Sequence, residues 1–159
     1  MAEVKIEIDA MGLAVLNRRL NKLLHKAKNL EPVWEDAADY MVRSTVNRIL
    51  RTKTGPDGER WAALSDLTIQ LKGHDRQLFE SGDLYRSVHV EDVSKEGFAI
   101  AADSDHASFM QDGVNTVRGK YRSKKPSPQV PARPFMGFSD QNVREISKML
   151  REYLAEGGD

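Results

Sequence analysis

The side chains best suited to chemistry in this sequence are four histidines, the acids around the last of them, and a run of cations. His25, His74, His89 and His106 could each move a proton near neutral pH or ligate a metal. Their spacing supports neither job: there is no HExxH and no paired histidine signature. His25 falls on a helical pattern and His74 in a polar loop, while His89 alternates with Val88 and Val90 and so faces away from them. Asp103, Asp105, His106 and Asp112 are the densest acid–base or metal group. The DSDH string lacks the EF-hand register, however, and acids there also suit a turn and a helix start. Ser81 and Ser87 flank Asp83 with no nucleophile elbow, so they read as local caps. GPDG at 55–58 and the isolated Gly82 follow no strand, and no GK[ST] occurs, so these are turn glycines rather than a phosphate cradle. No enzyme, cofactor or metal is expected.

The cations are Arg118, Lys120, Arg122, Lys124, Lys125 and Arg133, with Tyr121 among them and no acid between. Pro126, Pro128, Pro131 and Pro134 occupy the later part of the same stretch. Proline has no N–H to offer a ladder, so the reading is an extended, exposed arm over 114–130. Two chemistries suit it. The cations could neutralise phosphates while Tyr121 stacks on a base, which would make the arm a nucleic-acid-binding module over 118–133. Alternatively the arm becomes ordered against the acidic surface of a neighbouring subunit. A formal net charge of zero, from 24 basic and 24 acidic side chains, gives no general footprint for nucleic acid. That balance and the prolines favour the protein contact.

The elements that must hold these groups follow from periodicity. Val4, Ile6 and Ile8 alternate with Lys5, Glu7 and Asp9 as in a half-buried strand. Leucines at helical spacing predict an amphipathic helix from about Leu13 to Lys28. Pro32 suits the first turn of a second helix, with Val33, Ala37, Tyr40, Met41, Ser44 and Ile49 on its apolar side. Glu31, Glu35 and Asp36 sit at its positive dipole end, and Arg48 and Arg51 at the other. Two antiparallel helices with a short link are the simplest arrangement. Thr52–Arg60 is a loop, Ser65 caps a short helix, and residues 87–102 form a hairpin that should recruit the N-terminal strand and a helix face. His106–Gln111 is one or two helical turns ended by Gly113. Ser139 caps a final amphipathic helix.

Length and composition agree with one α+β domain over 1–159: a small antiparallel sheet, two long N-terminal helices, a C-terminal helix and the basic arm. The chain has no cysteine, which removes disulfides and thiolate sites. No apolar run reaches the roughly 18 residues of a membrane span, and the first residues, acidic from Glu3 onward, have no apolar h-region of a secretory signal.

Four segments in order carry a resemblance. GPDGERW at 55–61 continues into LSDLTIQLK at 64–72; LFESGDLYRSV stands at 78–88, HASFMQDG at 106–113 and PARPFMGFS at 131–139. Together they resemble the virion-morphogenesis proteins of Mu-like phages, which are similar to the tail-completion proteins of P2-like phages. His106 stands where that family often has tyrosine, and Met110 where histidine is frequent before the glutamine, here Gln111. The resemblance brings no catalytic residue with it. It implies a structural part in tail completion or head–tail joining, for a phage or prophage. Partners would be other tail or neck proteins, with a homo-oligomer and DNA contact through the arm as further expectations. The sites would be the host cytoplasm during assembly and then the virion tail or neck. Arg118, Lys120, Tyr121, Arg122, Lys124, Lys125, Arg133, Phe135 and Phe138 are the expected contact residues. From the residues themselves, Trp61 and Phe79 are expected at the helix–sheet junction, Gly82 in a tight turn, and Arg133 as an anchor through its planar fork.

Overall fold

The computed structural model of the chain describes residues 10–114 and 130–156. The expected strand at Val4, Ile6 and Ile8 lies outside the described residues, and so does the arm between its two ends. In chain order the elements are α1 (Ala10–Ala27), α2 (Glu31–Asn47) running into a π-helical turn (Arg48–Thr52), α3 (Asp66–Lys72), α4 (Asp83–Ser87), β1 (Val88–Val93), β2 (Phe98–Ala102), α5 (Ala107–Asp112) and α6 (Asp140–Ala155). This is the expected α+β class, with an antiparallel two-stranded sheet. The helical turn of α4 was not legible, because a hydrophobic pair and two serines gave it no period.

α2 is the axis of the molecule. Val33, Ala37, Ala38, Met41 and Thr45 are buried along it, a stripe at helical spacing. The hairpin covers that stripe from one side and α6 from another. α1 therefore does not fold back as the antiparallel partner of α2. It meets α6 instead, largely through polar groups at its end. Lys26 Nζ donates to Tyr153 O at 2.8 Å and lies 4.8 Å from the centre of the Tyr153 ring. The Tyr153 hydroxyl donates to Asn29 O at 2.7 Å.

The hairpin pairs Val88 with Ala102, Val90 with Ile100 and Val93 with Phe98. The ladder shifts by one residue between Val90 and Asp92, which leaves Glu91 as the extra residue of a bulge. The bulge explains an irregular spacing in the sequence: it returns Val93 to the packed side when strict alternation would put Asp92 there.

Two apolar clusters share α2. The smaller joins Ala37 and Met41 to Ile146 of α6, with Trp34, Phe98 and Ile100 against them. The larger joins Ile49, Trp61, Leu78, Leu84, Val88 and Phe135. Trp61 is buried as expected, but Phe79 is not. Leu78 adopts a positive φ of 51°, and it is this residue that enters the core. Phe79 stays half-buried, stacked on Tyr85 at 6.2 Å with the Arg76 guanidinium 4.6 Å from its ring centre. Gly82, at φ 90°, makes the tight turn into α4.

Candidate functional site

Residues 131–138 form neither helix nor strand, so their backbone groups must find partners elsewhere. Side chains from distant segments supply them. Gln111 Oε1 accepts from the N–H groups of Phe135 and Met136, both at 3.0 Å, and its Nε2 donates to Met136 O at 3.2 Å. Trp61 Nε1 donates to Pro134 O at 2.9 Å. Arg133 donates through Nε to Ala62 O and through Nη2 to Ala63 O, both at 3.0 Å, the planar fork expected of it. Its own N–H donates to Met110 O at 2.7 Å. From the opposite side Arg48 Nη1 donates to Phe135 O at 3.0 Å and to Gly137 O at 2.8 Å, and Nη2 donates to Asn142 Oδ1.

Asn142 carries the network into α6. Its Nδ2 donates to Tyr40 Oη at 3.0 Å and to Ser44 Oγ at 2.8 Å, tying α6 to α2. Its backbone N–H donates to Ser139 Oγ at 3.1 Å while its Oδ1 accepts from Ser139 N at 3.0 Å, a closed capping box. The result is a clasp around Phe135, which is 1% exposed. Two buried guanidinium groups hold it. Burial pulls the pKa of each below its ordinary value, with Tyr40 opposing the shift at Arg48. Among the described residues neither is matched by a carboxylate, so carbonyl and amide oxygens alone disperse the charge.

Beside the clasp opens a cleft of about 890 Å³, bordered by α3, the 78–84 turn, α5 and residues 130–133. Ser65 caps α3 at its edge, accepting from Thr68 N at 3.3 Å. Val114 and Val130 exchange two backbone bonds, of 2.9 and 3.1 Å, at the other edge. Gly113 turns the chain there with φ 75° and ψ 178°, a region open only to glycine. A Cβ at that position would stand 2.7 Å from both Ala132 N and Val130 O. The two ends of the expected arm are thus fastened together.

The acid–base group of the sequence does not gather here. His106 lines the cleft, but Asp103, Asp105 and Asp112 do not. Asp103 instead lies 3.6 Å from His89 Nδ1 on an exposed edge of the hairpin. No group of three metal-ligating side chains forms among the described residues. Ser81 and Ser87 act locally: the Ser81 hydroxyl donates to the Asp83 carboxylate, and that of Ser87 donates to Leu84 O at 2.7 Å.

Arg118, Lys120, Tyr121, Arg122, Lys124 and Lys125 lie outside the described residues. Arg133 and Phe135 are internal, at 5% and 1% exposure, whereas Phe138 is 58% exposed. Much of the 131–138 segment therefore holds the fold together, while Pro131, Ala132 and Phe138 face outward. Gln111, Arg48 and Asn142 were missed as site residues. Arg48 had a signal: it continues the stripe of Met41 and Thr45, where a charged side chain must be either misplaced or bonded.

The profile of the phage virion morphogenesis family matches residues 12–155. The chain belongs to that family. No curated protein and no solved structure matches it significantly. As a virion morphogenesis protein it has its role in building the phage particle. The resembling segments meet at the clasp: Trp61, Met110, Gln111 and Arg133 all bond within it, and Leu78 and Leu84 pack beneath it. Residues of those virion-morphogenesis motifs thus bond and pack around Phe135 in this chain. No described helix is long and apolar enough to cross a membrane.

Proposed function

We propose that this virion morphogenesis protein acts in tail completion or head–tail joining through protein–protein contacts, without turnover or cofactor. The observation that carries the reading is the fastening of Val114 to Val130 beside the cleft. The intervening residues carry five cations and no acid, and both their ends are fixed to one place on a hydrogen-bonded scaffold. Positive charge delivered from a fixed base suits recognition of an acidic surface, where it sets register and association rate more than raw affinity. The partners on this reading are other tail or neck proteins, met in the host cytoplasm during assembly and retained in the tail or neck of the virion.

The experiment is complementation of a phage that lacks the gene, read by titre and electron microscopy. Separate filled heads and tails should accumulate without the protein, and the intact chain should restore joined particles. A chain lacking residues 117–129 should fold but leave heads and tails apart. Joined, infectious particles in the complete absence of the protein would sink the reading. Steep salt-dependent DNA binding lost in the 117–129 deletion would move the arm to nucleic acid.

A further inference from the structure

We draw no further inference here: the strongest candidate, the exposed leucine stripe of α1 formed by Leu16, Leu20 and Leu24, is an apolar helix face, and nothing in the structure shows what covers it.

Discussion

Arg48 shows how a charge can serve as an internal fastener. Its guanidinium reaches Phe135 O, Gly137 O and Asn142 Oδ1 from a helix position that would otherwise be apolar. Arg48→Met would fill much of the volume but leave Phe135 O and Gly137 O without this donor, at a cost of about 3 kcal/mol. Urea denaturation measures it, and a loss under about 1 kcal/mol would show that the clasp does not hold the fold. Lys53 gives a pH test. Burial holds its pKa below the ordinary lysine value, with Arg76 and then Lys72 adding to the shift, despite carbonyl acceptors at Ile49 and Gln77. A lysine depressed in the folded state destabilises fully below its folded pKa, and that cost disappears as pH rises toward the unfolded value. The stability of wild type relative to Lys53→Met should therefore increase across the alkaline range. A flat difference between the two would refute the burial effect.

Caps and stripes behave differently in elements that face the core and elements that do not. Ser139 and Ser65 both cap helices by accepting a backbone N–H, from Asn142 and Thr68. α6 buries Asn142 and Ile146, whereas α3 buries nothing. Ser139→Ala should cost about 1 kcal/mol of global stability, since the cap of α6 is coupled to the clasp. Ser65→Ala should shift global unfolding by less than about 0.5 kcal/mol and show itself as faster amide exchange confined to α3. Equal effects in denaturant titrations of the two variants would contradict this ranking. Element positions were readable because caps, turn glycines and apolar periods are local signals: Ser65, Ser139, Gly113 and the 87–102 hairpin all stand where local chemistry puts them. The Glu91 bulge and the inward turn of Leu78 were not readable, because each depends on which face the neighbouring elements leave open.

At the scale of the molecule, α2 is common to both apolar clusters, and the two tryptophans report on one each. Trp34 packs with the smaller cluster and Trp61 belongs to the larger. Trp34→Phe and Trp61→Phe each leave a single fluorophore, and each variant's fluorescence midpoint should coincide with its own far-ultraviolet circular dichroism midpoint. A fluorescence transition well separated from the dichroism transition would mean that the clusters unfold independently. The sequence by itself determined the helices other than α4, the hairpin, the fork of Arg133, the missing catalytic signatures and, through ordered motifs, the resemblance to virion morphogenesis proteins. These features are set by neighbours a few residues apart or by residue type. The tertiary structure alone decided that α1 leaves its stripe open, that Arg48, Gln111 and Asn142 close on the 131–138 segment, and that Phe135 lies inside while Phe138 faces out. Those outcomes depend on which unpaired backbone groups and apolar faces meet across about a hundred residues of chain, and no local pattern encodes that meeting.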